Sequence, residues 1–435
     1  MKYYCIGIKG SGMATLACLL HDLGNSVSGY DDVRDFKFTE VGLKNRNISV
    51  FYNQEHSIDE DAIVTYSKAF KEDHPEIKRV RSLGLRVKEY NEVVGDLTRM
   101  FQTISICGTH GKTTTTTMIS QVLDKKYGCN YFIGDGRGNA KPENQLFVIE
   151  SDEFNRHFLK YSPSIAVVTN IELEHTECYK DLDDIVSTFE KFLENARDFV
   201  VLCGDNENVR KLNVKVPHIY YGFEDNNDVV IRNLVLNEEG SSFELLIDGE
   251  VYGTFHLPLY GRHMVLDAAA CILVCRYLGV DKDFISDVLS SFQNAQRRFQ
   301  ETFVEDTVII DDYAHHPTEI KVTLEAVRQK YPNKKLAVIF KPNTYSRTKD
   351  FYEDFASSLN IADYCFLTEI ECNREKQEEY PGVSSKLILD GLTTGEMIYD
   401  DLSKLLDFKG EVICFMSCAS ISHMKEELIN LLSVK

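Results

Sequence analysis

The stretch Thr103-Ile104-Ser105-Ile106-Cys107-Gly108-Thr109-His110-Gly111-Lys112-Thr113-Thr114 sets an apolar run directly before a glycine turn and a Thr-rich helical segment. Read as strand, loop and helix, it places Lys112 and Thr113 at a helix N-terminus. Successive amides in such a loop cradle phosphates, the Lys ammonium meets the outer phosphates, and a Thr hydroxyl can ligate Mg²⁺. Ile106 stands where the longer form of this loop has its first Gly, so this is a shortened variant. The pattern predicts ATP binding through Gly108, Thr109, His110, Gly111, Lys112, Thr113 and Thr114, against the plainer reading of a structural turn.

The same order of strand, glycine turn and helix recurs on both sides of this stretch. Residues 3–8 form a short apolar strand, 13–23 a helical stretch and 27–30 the next strand, so a βαβ unit opens the chain. Its first turn reads Gly7-Ile8-Lys9-Gly10-Ser11-Gly12-Met13, where glycines let a diphosphate approach the backbone. The second strand ends in Gly29-Tyr30-Asp31-Asp32, a place from which a carboxylate reaches a ribose or a base edge. In a plain dinucleotide fold that arrangement points to NAD. Downstream, 146–150, 165–170 and 199–203 read as further strands, and an alternating pair around Asp248-Gly249 reads as an antiparallel hairpin. A third start comes at 307–310 and continues through 336–340, 364–368 and 412–416. The expected fold is α/β with three domains in series. These are a Rossmann-like N-terminal domain (1–100), a central P-loop-type ATPase domain (101–296) and a Rossmann-like C-terminal domain (297–435).

Composition narrows the function classes. With 43% hydrophobic and 27% charged residues among 435, wholesale disorder is excluded. Lys and Arg total 48 against 68 Asp and Glu, a net charge of −20, which argues against nucleic acid or an anionic membrane as the main partner. No apolar run approaches the roughly 18 residues of a membrane span, and the N-terminus lacks a signal-type apolar segment. A cytoplasmic protein is expected. None of the 12 cysteines forms a C-x-x-C pair. Cys271, Cys275, Cys414 and Cys418 lie in apolar stretches and read as small buried hydrophobes.

Further chemistry-bearing residues sit at strand ends, where parallel sheets face their ligands. Glu150-Ser151-Asp152-Glu153 closes one strand and Asn170-Ile171-Glu172-Leu173-Glu174-His175 follows another. Hard oxygen donors suit Mg²⁺, and a neutral imidazole can complete such a site. The third part holds Arg297-Arg298-Phe299, then Asp311-Asp312-Tyr313-Ala314-His315-His316-Pro317-Thr318-Glu319, then Lys341-Pro342-Asn343-Thr344-Tyr345-Ser346-Arg347-Thr348. Arginines there can recognise carboxylate or phosphate in a fork.

Taken together and in this order, the motifs resemble the Mur ligases of cell-wall synthesis, in particular the branch that adds the first amino acid. The resemblance covers essentially the whole chain. It implies an ATP-dependent ligase with Mg²⁺ as cofactor, acting on UDP-N-acetylmuramic acid, L-alanine and ATP in peptidoglycan precursor synthesis, as a monomer or weak homodimer. By the same resemblance Thr113 and Glu150 hold one Mg²⁺ and His175 a second, and His263, Asp267 and Asp312 join the ATP site. Gly7, Gly10, Ser11, Gly12, Asp31, Arg298 and Tyr313 face the UDP substrate. Lys112, His175, His315, His316 and Arg347 carry the catalysis. The chemistry agrees: a carboxylate is a poor electrophile, so ATP phosphorylates it and an amine then attacks the acyl phosphate.

Four departures from the family pattern are divided between the second and third parts: Asp267 for an Asn, Lys341 and Asn343 for a Gln and a His, Ser417-Cys418-Ala419-Ser420 for a glycine-rich loop, and Asn294 for a Gly. They leave open a related ligase that joins another amino acid or a peptide. An oxidoreductase, suggested by the first βαβ unit alone, leaves Lys112 and the His315-His316 pair unexplained. A non-catalytic binding module is the third alternative.

Overall fold

A computed structural model describes residues 1–175, 178–294, 297–372 and 375–433. Three sheets of mainly parallel strands carry the chain, and most of the apolar runs of the sequence become their strands. The first comprises β1 (Lys2–Ile6), β2 (Ser26–Tyr30), β3 (Ser49–Phe51), β4 (Ile63–Tyr66) and β5 (Arg86–Glu89), in the order β3-β2-β1-β4-β5. The order reverses at β1, which puts the glycine loop after β1 at the crevice where such sheets bind ligands.

The second sheet is built from β6 (Gln102–Cys107), β7 (Cys129–Phe132), β8 (Gly138–Asn139), β9 (Leu146–Glu150), β10 (Ile165–Val168), β11 (Phe199–Cys203), β12 (His218–Gly222), β13 (Val229–Asn237), β14 (Gly240–Ile247) and β15 (Glu250–Leu257). Its order is β15-β14-β13-β12-β11-β10-β6-β9-β7-β8. Between β14 and β15 the two residues Asp248 (φ 54°) and Gly249 (φ 80°) both adopt positive φ, as a tight hairpin turn with the native strand twist demands. The third sheet contains β16 (Gln300–Val304), β17 (Thr307–Asp312), β18 (Leu336–Phe340), β19 (Tyr364–Leu367), β20 (Gly395–Met397) and β21 (Val412–Met416), ordered β16-β17-β21-β18-β19-β20. Besides the hairpin, β7–β8 and β16–β17 pair antiparallel, two pairings that the sequence patterns do not announce.

The chain divides into two compact units: residues 1–233, 244–255 and 266–291, and residues 234–243, 256–265 and 292–435. In the first, one continuous core links Leu16, Leu19 and Leu20 of the helix Ser11–Asp22 to Phe147 and Ile149 of β9 and on to Phe158, Phe189 and Phe192. In the second, the central strands are buried on both faces. Val308, Val338, Val412 and Cys414 join one core, while Ile309, Ile339, Ile413 and Phe415 join the other. Strands covered on both sides read as unbroken apolar runs, which is why they were visible in the sequence. All 12 cysteines are free; Cys271, Cys275 and Cys414 are buried as expected, but Cys418 is only half-buried because it leaves β21 for a loop.

Candidate active site

In the second sheet β6 lies between β9 and β10. The phosphate-type loop after β6, the acidic run after β9 and the Asn170–His175 segment after β10 therefore converge at one carboxyl edge. The loop is shaped by two glycines. A Cβ on Gly108 (φ 137°) would lie 2.1 Å from Thr169 Oγ1, and one on Gly111 (φ 81°) would lie 2.5 Å from Asp267 Oδ1. Gly111 sits at the start of the helix Lys112–Tyr127 in the left-handed region, with no side-chain cap on the first turn. Neighbouring residues fix the loop's other bonds. Asn170 accepts from the His110 amide at 2.8 Å and donates to the His110 carbonyl at 2.9 Å. Thr169 donates to the same carbonyl, and Thr109 accepts from the Glu172 amide. His110 pairs with Glu172 at 3.4 Å, and Thr114 is buried in the first helical turn.

Lys112 Nζ donates to the carbonyls of Gly108 (2.6 Å) and Thr109 (3.1 Å) and lies 3.0 Å from each oxygen of Glu153. Burial alone would lower its pKa, but Glu153, Asp152, Glu174 and Glu150 together hold the ammonium above its ordinary value. Burial pushes the Glu153 carboxyl up, against the pull of Lys112. Thr113 donates to Glu150 at 3.1 Å, and the other Glu150 oxygen accepts from the Gly134 amide at 2.8 Å. His175, at φ 54°, packs edge-on against Phe154. Its ring nitrogen gathers with carboxylate oxygens of Asp152 and Glu153, all within 4.8 Å. The structure thus joins Thr113 to Glu150 and groups His175 with two carboxylates that the sequence reading quoted without a role. Thr113 with Glu150, and His175 with Asp152 and Glu153, are two donor groups whose chemistry fits Mg²⁺.

The first sheet treats its motif differently. Gly7 (φ 77°) turns the chain after β1, and the Gly7 and Ile8 amides donate to Tyr30 O at 2.7 and 3.1 Å. Gly10, with no side-chain cap, precedes the helix that begins Ser11-Gly12. A Cβ on Gly12 would lie 2.8 Å from the Tyr90 hydroxyl, and Ser11 Oγ lies 3.5 Å from Gly134 O. Asp31 is buried, and its two oxygens accept from the amides of Lys9 (2.9 Å) and Val33 (3.0 Å). It pins the loop from within. Lys9 is also buried: its ammonium pairs with Glu40 at 2.6 Å and donates to the carbonyls of Val33 and Asp35. Sequence gave no sign that this lysine turns inward.

The second unit holds the remaining residues. Asp312 accepts from the Phe299 and Ala314 amides, both at 2.8 Å, so it ties the Arg297–Phe299 segment to the end of β17. Burial raises its carboxyl, with Arg298 pulling the other way. Arg297 and Arg298 both stack on Tyr313, 5.4 and 5.1 Å from the ring centre. Glu319 organises the His pair: it contacts His315 Nδ1 at 2.9 Å, accepts from the amides of His315 and His316, and lies 3.9 Å from Arg298. The His316 side chain caps the helix Pro317–Lys330 by accepting from the Thr318 amide. His263 is half-buried, and its imidazole is pushed down to about 4 by desolvation first and by Arg298 second. Arg347, on the helix Tyr345–Leu359, donates to Asn343 at 2.8 Å. Lys341 pairs with Glu371, so the extra charge is neutralised locally.

Comparison with known proteins places these observations. The description "Mur ligase family, catalytic domain" matches residues 2–102, "Mur ligase middle domain" matches 106–275, and "Mur ligase, glutamate ligase domain" matches 297–416. The chain belongs to the Mur ligase family. This Mur ligase is 41% identical over 438 residues to a UDP-N-acetylmuramate–L-alanine ligase of Levilactobacillus brevis, covering 100% of this chain and 98% of the relative. It is 43% identical over 422 residues to a protein of the same name from Lactiplantibacillus plantarum, covering 96% of each. Among solved structures, the UDP-N-acetylmuramate-alanine ligase of Thermotoga maritima matches with a TM-score of 0.81 at 25% identity, over 99% of both chains. A murein peptide ligase of Psychrobacter arcticus shares the fold, with a TM-score of 0.67 at 21% identity over 100% of this chain and 99% of that one.

Proposed function

We propose that this Mur ligase joins L-alanine to the lactoyl carboxylate of UDP-N-acetylmuramic acid at the expense of ATP, in peptidoglycan precursor synthesis. The observation that carries the reading is the end-to-end similarity, at 41–43% identity, to relatives named for that reaction. The geometry around Lys112 supports the ATP half. An ammonium kept protonated at a helix start, beside a loop bent by Gly108 and Gly111, suits charge that spreads over a transferring phosphoryl group. Thr113 and Glu150 would hold one Mg²⁺ and His175 a second, with Asp152 beside His175; the ions would supply further charge neutralisation there. Gly7, Gly10, Ser11 and Gly12 offer a diphosphate an approach to the backbone, and Arg298 and Tyr313 serve the UDP substrate from the second unit. His263 and Asp267 belong to the nucleotide's base, and Asp312 supports the ATP side by holding its loop.

Arg347 gives the amino-acid carboxylate a forked cation, held by Asn343. His315, oriented by Glu319, would accept a proton from the incoming ammonium, and His316 caps the helix that carries Glu319. The pairing of Lys341 with Glu371 keeps its charge from selecting an acidic side chain, which favours L-alanine over L-glutamate. We set the domain limits near residues 100 and 296 and place a monomer or weak homodimer in the cytoplasm, in keeping with 12 free thiols. The test is ADP release measured across L-alanine, glycine, L-serine, L-glutamate and a tripeptide, with and without UDP-N-acetylmuramic acid. The reading expects fastest turnover with L-alanine and none without the UDP substrate. Faster ligation of L-glutamate or the peptide overturns the named substrate, and ADP release indifferent to the UDP substrate overturns the ligase.

A further inference from the structure

An ammonium has three N–H donors, and those of Lys112 already face four acceptors: two loop carbonyls and both oxygens of Glu153. A phosphate that reaches Lys112 must therefore displace one of them. The carbonyls of Gly108 and Thr109 are part of the loop itself, held in place through Thr169 and Asn170. Glu153 is the one partner that is a side chain and not loop backbone, so it can be displaced without opening the loop, although it is buried. Its carbonyl is anchored by the Tyr179 hydroxyl at 2.5 Å and by the Arg156 amide at 2.8 Å. If it does not leave, two anions share one buried ammonium and repel each other.

We propose that Glu153 is a positioning residue that makes phosphate binding at Lys112 conditional on a divalent cation. A donor group for such a cation lies next to it, since Asp152, Glu153 and His175 bring their ligating atoms within 4.8 Å of one another. A cation held there draws the Glu153 carboxylate off Lys112, and the ammonium becomes free for phosphate. Without the cation, Glu153 competes with the nucleotide for the same three donors. The pair thus ties nucleotide affinity to metal through a contact that neither the nucleotide nor the metal needs once both are bound. This rests on the ATP reading given above.

The test is calorimetric titration of the whole chain with ADP, with and without Mg²⁺, for wild type and Glu153→Gln. Wild type should bind ADP at least about tenfold more tightly with Mg²⁺, whereas Glu153→Gln should gain about tenfold in metal-free affinity and close the gap to under about threefold. An equal Mg²⁺ dependence in both proteins overturns the proposal. Glu153→Asp, which keeps the charge but shortens its reach, covers the case in which the Gln variant does not fold. It should show a gap between the two, and an undiminished gap counts against the proposal. Wild type that binds no ADP even with Mg²⁺ fails at the earlier step, by overturning the ATP reading itself.

Discussion

Lys112→Ala removes an ammonium that the loop carbonyls and Glu153 hold at the start of a helix. Its charge serves the transferring phosphoryl group and not the UDP substrate, so kcat should fall about 100-fold or more. The dissociation constant of UDP-N-acetylmuramic acid, read by calorimetry, should change by less than about twofold. Asp267 is a carboxylate where the family has an amide, and it lies against Gly111. An ionised carboxylate only accepts hydrogen bonds, so in the proposed role at the base one of an amide's two contacts with adenine is lost. Asp267→Asn should lower the KM for ATP about three- to tenfold and leave the KM for the UDP substrate alone. Equal use of ATP and GTP by the wild type would place Asp267 away from the base. His263 sets a pH dependence. Its folded pKa is about 4, against about 6.5 in an unfolded chain. The unfolded state then binds more protons between those values, so stability present above about pH 6.5 is lost as the pH falls towards 4, by at most about 3 kcal/mol. In His263→Asn the melting temperature should fall less steeply over that range.

The phosphate loop shows what a single element asks of its residues. At Gly111 both the positive φ and the nearby Asp267 oppose a side chain. At Gly24 the φ is 83°, but nothing lies within 4 Å of an added Cβ. Gly24→Ala should therefore cost only the left-handed backbone penalty of about 1–2 kcal/mol. Gly111→Ala should cost more by chemical denaturation and should also abolish ADP binding, because the first helical turn has to shift. The contrast between the two glycines was not legible in the sequence, since both precede or follow helices in similar settings. What was legible were the strands buried on both faces. β9, β11, β18 and β21 match their apolar runs residue for residue. β3, β4, β5, β7, β8, β12, β13, β16 and β20 were not read as strands; of these β8, β16 and β20 are short or half-exposed edge strands without an apolar run. Their pairing comes from neighbours far along the chain, which local pattern does not carry.

Across the molecule, motif order announced the three sheets, and the ends of β6, β9 and β10 do carry the quoted residues to one edge. Partner choice was less visible. Asp31 and Asp312 read as ligand-facing carboxylates in the sequence, and both also hold backbone amides of their own loops, contacts that the sequence did not reveal. Lys9, quoted in the first glycine turn without a role, is buried on Glu40. Glu153 and Glu319 stand inside motifs but reveal their roles only through Lys112 and His315, which are distant in sequence or hidden by a helix turn. Residue type at a strand end locates a site, while the hydrogen bonds decide which members face inward. The central claim, that ATP activates the carboxylate as an acyl phosphate before the amine attacks, has a direct test. UDP-N-acetylmuramic acid labelled with ¹⁸O in its lactoyl carboxylate is turned over with ATP and L-alanine, and the released phosphate is analysed by mass spectrometry. Attack at the carbonyl carbon expels phosphate carrying one carboxylate oxygen, so each phosphate formed should contain one ¹⁸O. Phosphate free of the label, with amide still formed, would contradict the account.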